Sequence, residues 1–307
     1  MFKNLNPTAL GVTGHQSEII ELALTYGFEG IDLDISSFAT RVRRRGLDYA
    51  QRLLKSAKIQ AGTFSLPMDW DVDDERFKKS MEKLPQQAES AAAIGATRCT
   101  AVVSPAGDRR PYHENFEFHK FRFGDICRVL NEYGIRLGVG FRAAEYRRKD
   151  QAFQFIHDFD AVNLLVNMVE ADNIGVLLDV WELFVAGGNL EAIRALKAED
   201  IVAVEVAELD AEVDAIHADE KSRLQPNDPR GRINIGEILA MLKEKGYDGP
   251  VSPTPSRGAM NTRRRDAIVK QTGEAIDHLW QTSGLDSENR PYSLVSESEA
   301  VAAPKPA

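Results

Sequence analysis

The chain has 307 residues, 43% of them apolar and 28% charged, with 38 Lys and Arg against 47 Asp and Glu for a formal charge of −9. That supplies enough apolar chain for one large core, and the acidic balance argues against polyanion binding by the whole surface while leaving room for a local basic patch. The longest apolar stretch, Ile174 to Ala186, is interrupted by Asp179 and Glu182, short of the ~20 residues that cross a membrane.

The start, MFKNLNPTAL, lacks the apolar stretch of a secretory signal. Cys99 and Cys127 form neither a disulfide framework nor a metal-ligand spacing. Both features point to a reducing cytoplasm. Taken in chain order, apolar runs bounded by turn residues predict strands at Ala9–Val12, Gly30–Ile35, Gln60–Ser65, Thr100–Ser104, Arg136–Phe141, Gly175–Asp179, Val202–Ala207 and Val251–Thr254. Helical patterns fall between them, at Ser17–Tyr26, Leu47–Ala57, Asp74–Ile94, Phe121–Tyr133, Ala152–Ala171, Leu190–Leu196, Ile235–Lys245 and Arg264–Thr282. Ser17 and Asp74 read as helix starts and Gly27, Gly95, Gly134 and Gly246 as stops. Pro85 predicts a kink or break in the third helix.

Eight strand–helix units fit an α/β fold of the (β/α)8 TIM-barrel type at close to its usual size, and near-continuous apolar strands suit a parallel sheet buried on both faces. The competing doubly wound sheet wants a glycine-rich phosphate turn after the first strand, which Gly11-Val12-Thr13-Gly14-His15 does not supply. The barrel domain is therefore expected over 1–282. The remainder, 283–307, is rich in Ser, Glu, Pro and Ala without periodicity and reads as a disordered tail, a docked arm being the alternative.

A barrel puts its working residues at the C-terminal ends of its strands and in the loops that follow. This selects His15; Asp32, Asp34 and the run Arg41-Val42-Arg43-Arg44-Arg45; Asp108, Arg109, Arg110, His113 and His119; Arg142, Glu145, Arg147, Arg148 and Lys149; Asp179, Glu182, Glu205 and Glu208; His217 and Arg223; and Thr254 and Arg257, with Arg263, Arg264 and Arg265 opening the last helix. Basic clusters gathered on the loop face of an acidic body would attract a small anionic or carbohydrate ligand. The carboxylates of adjacent strands should converge, and converging like charges raise one another's pKa or demand a cation between them. No HxH, HExxH, CxxC, GxSxG or GxxxxGK[ST] pattern is present.

The stretch Asn173-Ile-Gly-Val-Leu-Leu-Asp179-Val-Trp181-Glu182-Leu, followed by Gly187-Gly188, resembles the glycine, apolar run, Asp-x-Trp-His segment of the xylose isomerase-like TIM-barrel family. Three further stretches agree in order and spacing: Gly27-Phe-Glu-Gly-Ile-Asp32, Arg136-Leu-Gly-Val-Gly140-Phe and Gly246-Tyr-Asp-Gly-Pro250-Val-Ser. The resemblance implies sugar or sugar-phosphate isomerase or epimerase activity. It also implies a divalent metal held by Glu, Asp, His and Glu from strands five to eight, the two glutamates also moving protons beside a carbonyl. Here the four positions read Gly140, Asp179, Glu205 and Thr254, and the His after the conserved Asp reads Glu182. Neither Gly nor Thr is an acid or base at neutral pH, and one carboxylate holds a metal weakly. The expectation is therefore no bound cofactor and an altered, metal-independent or inactive site. In it Asp179 and Glu205 serve as acid and base, and His15, Glu182, Glu208, Arg223 and Arg257 contact the ligand. A non-catalytic carbohydrate- or partner-binding barrel is the alternative. Six scattered histidines argue against nucleic-acid processing, and oligomeric state is left open, a homo-oligomer among the options.

Overall fold

The computed structural model describes residues 1–285. Eight parallel strands surround one core: β1 (Phe2–Leu5), β2 (Gly30–Ile31), β3 (the two segments Gln60–Ala61 and Phe64–Ser65), β4 (Arg98–Val102), β5 (Arg136–Gly140), β6 (Ile174–Asp179), β7 (Ile201–Val206) and β8 (Pro250–Pro253). The first segment of β3 pairs with β2 and the second with β4. One extended stretch thus joins the two ends of the sheet, and β1 pairs with β8, giving the ring of a (β/α)8 barrel. The tail expected at 283–307 lies outside the described residues from 286 onward.

The predicted first strand is corrected. Residues 7–11 form a turn, and the strand is Phe2–Leu5. Its polar members are invisible to an apolar-run criterion because each is neutralised only in the fold. Buried Lys3 pairs with Asp277 on the last helix, and buried Asn4 donates to Asp32 at 2.6 Å and to Ser252 at 2.8 Å. A second correction concerns the arginine run. It sits not in a loop but on the helix Ile35–Arg45, capped by Asp34, and so leaves the barrel mouth for the helix layer. Leu47–Ala57 is a helix with the predicted bounds. Pro85 breaks the third pattern into Asp74–Met81 and Leu84–Ala92, taking the first turn of the second piece, where its missing N–H costs nothing.

Close packing of β6 onto β7 depends on Gly175. A side chain there would overlap the Asp200 carbonyl oxygen and approach Val202 Cγ2 to 3.0 Å. Gly175→Ala is therefore expected to lower unfolding stability by roughly 1–3 kcal/mol through overpacking against fixed backbone, read as a shift of the urea midpoint at unchanged slope. Among the described residues no helix is long and apolar enough to cross a membrane.

Candidate active site

At the C-terminal ends of the strands opens a cavity of about 1170 Å³. It is large enough for a sugar and its hydration. Its charged lining comes from Asp32, Asp34, Arg142, Arg147, Glu205, Glu220, Lys221, Arg223 and Arg257.

Behind the wall lies a buried ion cluster. Asp179 ends β6 and caps the short helix Val180–Val185, accepting the Glu182 N–H at 3.3 Å. One turn on, Glu182 is wholly buried and accepts the Ala143 N–H at 2.7 Å. Arg223 lies on a short antiparallel ribbon, Arg223–Leu224 against Glu208–Leu209, which carries it inward under the mouth. Its Nη2 donates to Asp179 at 2.7 Å and to Glu182 at 2.8 Å, and its Nη1 donates to Asp179 at 3.3 Å and to Thr254 at 3.1 Å. Trp181, fully buried, lies beneath the guanidinium at 4.5 Å. Arg142, two residues beyond β5, reaches the same carboxylates with one nitrogen, at 3.2 and 3.1 Å.

The sequence expectation for Asp179 as a proton carrier therefore meets a physical obstacle. Both guanidiniums line the cavity and Asp179, 3% exposed, does not. Burial alone would raise its pKa, but Arg223 and Arg142 hold it below the ordinary carboxylate range. It stays ionised and positions the arginines. Glu205, its register neighbour on β7, behaves in the opposite way. It faces the cavity and accepts no hydrogen bond from the described residues. Burial, then the charge of Asp179, pushes its pKa up to about 7.

The remaining candidates divide. Arg223 and Arg257 line the cavity, the latter tied to the Gly11 carbonyl at 2.8 Å. Neither His15 nor Glu208 lines it. His15 is an exposed residue at the start of the first helix, Gln16–Thr25. Glu208 turns away to accept the Ile233 N–H at 2.8 Å. Glu182 is brought to the site, but as a buried partner of the arginines.

Asp32 and Arg142 emerge with roles that spacing alone did not assign. Asp32 directly follows β2, and its Oδ1 accepts from Asn4 at 2.6 Å and from the Thr63 N–H at 2.6 Å. Gly62 makes room for this pair, since a side chain there would collide with both. Burial pushes the Asp32 pKa up to about 6 against those two donors. A carboxyl that binds its proton more tightly folded than unfolded makes the fold less stable as pH rises. The cost is absent below pH 4 and complete above pH 6. Asp32→Asn, which keeps both acceptor bonds, is thus expected to be more stable than the parent at pH 8 by on the order of 1–3 kcal/mol. That margin should close as pH falls from 6 to 4, as thermal denaturation across that range would show.

The profile of the family described as the xylose isomerase-like TIM barrel matches residues 20–279, most of the chain. The chain belongs to that family. A xylose isomerase domain protein from Alicyclobacillus acidocaldarius superposes with a TM-score of 0.82 at 21% identity, over 92% of this chain and 99% of its own. The IOLI protein, solved with a zinc atom bound, gives 0.75 at 15% identity over 92% and 99%. At these identities both show a shared fold. An inosose isomerase from Halalkalibacterium halodurans is 28% identical over 130 residues, 42% of each chain, so the match spans less than half of that relative's length.

The metal that family membership implies does not fit these residues. A side chain at Gly140 would meet Leu177 at 3.0 Å, so an apolar side chain crowds the room of the first expected ligand. Thr254 donates no charge, and Asp179 is already saturated by guanidinium. Among the described residues no group of three or more His, Cys, Asp or Glu is arranged to hold a metal ion.

Proposed function

We propose that this chain is a sugar isomerase or epimerase of the xylose isomerase-like family that labilises a hydrogen beside a carbonyl with Glu205 and arginine in place of glutamates and metal. Its ligand is a small carbohydrate, neutral or anionic, and its setting the cytoplasm. One observation carries the reading. Glu205 faces the cavity with its carboxylate free of hydrogen bonds, while Arg142 beside it offers Nε and Nη2 free of partners among the described residues.

In the forward step the Glu205 carboxylate takes the hydrogen from the carbon next to the carbonyl as a proton. The C–H electron pair becomes the C=C bond of an enediolate, and the carbonyl π pair moves to oxygen. The free edge of Arg142 receives that developing oxyanion through charge-assisted hydrogen bonds. Returning the proton to the neighbouring carbon, with an O–H proton shift, isomerises the sugar. Return to the opposite face of the same carbon epimerises it. Arg142 is 29% exposed and stays protonated beside Asp179, so it contributes charge and no proton. The inosose isomerase similarity supports the same class of chemistry.

The test is a panel of ketohexoses, their phosphates and inosose incubated with the protein in D2O and followed by NMR, beside a thermal-shift screen of the same compounds. Deuterium at the α-carbon of a stabilising compound is the expected result. Stabilisation by a compound that never exchanges makes the chain a binder and removes the catalytic reading.

A further inference from the structure

We infer that the Arg223 guanidinium is a tethered cation in the seat of a divalent ion, and that removing it uncovers a metal site which the parent protein keeps closed. Whether Glu205 moves a proton does not enter the inference, so each can fail alone.

Arg223 Nη2 lies between two buried carboxylates. It is 2.7 Å from a carboxylate oxygen of Asp179 and 2.8 Å from one of Glu182. The other terminal nitrogen meets the second Asp179 oxygen and the Thr254 hydroxyl at 3.3 and 3.1 Å. Asp179 and Thr254 occupy two of the four positions at which the family resemblance places ligands, and the carboxylate oxygens around Nη2 are of the hard type that Mn²⁺ or Mg²⁺ takes, with waters completing the shell. The charges agree. Two buried carboxylates face two guanidiniums, with Glu205 close by. Without Arg223 the cluster keeps both carboxylates and only Arg142, which carries a free edge toward the cavity. A buried excess of negative charge has few remedies: protonation, unfolding or uptake of a cation.

Arg223 is also built in firmly. Trp181 packs against its face, and Ser256 on the loop after β8 donates its N–H to the Arg223 carbonyl at 2.9 Å. This backbone tether holds the ribbon whatever side chain residue 223 carries. Arg223→Met, matching much of the buried length without charge, therefore suits the test better than Arg223→Ala, and both can be made.

The experiment is MnCl2 titration of the EDTA-stripped full chain, read by isothermal calorimetry, by Mn²⁺ electron paramagnetic resonance and by melting temperature. The parent is expected to show no stoichiometric site and an unmoved melting temperature. Arg223→Met and Arg223→Ala are expected to bind one equivalent with a Kd on the order of 10⁻⁴–10⁻³ M, at least tenfold tighter than any parent binding, and to melt at higher temperature as Mn²⁺ is added. Adding Asp179→Asn to Arg223→Met should abolish the gain. If Arg223→Met is unfolded, Mn²⁺ should restore its far-UV circular dichroism. Failure of Mn²⁺ to bind or to restore structure in both variants overturns the inference. So does one equivalent bound by the parent through Asp179, lost in Asp179→Asn.

Discussion

Glu205→Gln is expected to lower α-proton exchange by about 10²–10⁴-fold, the usual contribution of a single general base, with ligand affinity nearly unchanged. The amide matches the carboxylate in shape, and the parent side chain accepts no hydrogen bond from the described residues whose loss would disturb the wall. A structural role would show in the melting temperature. The expected change there is small and stabilising at neutral pH, because the amide carries no charge into a buried place beside Asp179. The parent rate should rise with pH as Glu205 ionises near 7, and the residual rate of the variant should lose that limb. An unchanged rate in Glu205→Gln would assign the chemistry elsewhere.

Asp179→Ala is expected to remove 3–5 kcal/mol, roughly what is lost when one partner of a buried ion cluster is deleted. Two losses coincide. Arg223 and Arg142 keep only Glu182 as a carboxylate partner, and helix Val180–Val185 loses its cap. Asp179→Asn, which retains the cap acceptor and one bond to Arg223, should cost less. Because the arginines hold the Asp179 pKa low, its contribution is present above the ordinary carboxylate range and fades as pH falls through its depressed value. The gap between parent and Asp179→Ala in urea denaturation should therefore narrow only in strong acid. A loss below about 1 kcal/mol at pH 7 would show that the cluster is not the stabilising centre described.

The barrel was legible because its strands β5 to β7 are apolar runs buried on nearly every residue, a pattern produced by local residues alone. β1 was not, since Lys3 and Asn4 become tolerable inside only when Asp277, Asp32 and Ser252 arrive from far along the chain. The helix Ile35–Arg45 was hidden by its arginines, which read as loop while only Ile35, Phe38 and Ala39 turn inward. At the site, strand-end position picked out Asp179, Glu182, Glu205 and Arg223, which the fold brings together at one end of the barrel. Position could not tell which carboxylates face the cavity. That division depends on Arg223, more than forty residues from Asp179, folding back on its ribbon to cover Asp179 and leave Glu205 bare. Glu208 shows the same limit, because its turn toward Ile233 is set by the ribbon and not by its place after β7.

The central claim, that carboxylate and arginine do here what glutamates and a metal do elsewhere in the family, is tested most directly by solvent deuterium exchange on a thermally stabilising ketose or inosose. The parent and Glu205→Gln would be compared with and without EDTA. Equal exchange by the parent in both conditions, and its loss in the variant, are expected. Exchange that disappears with EDTA and returns on adding Mn²⁺, Co²⁺ or Zn²⁺ would contradict the claim.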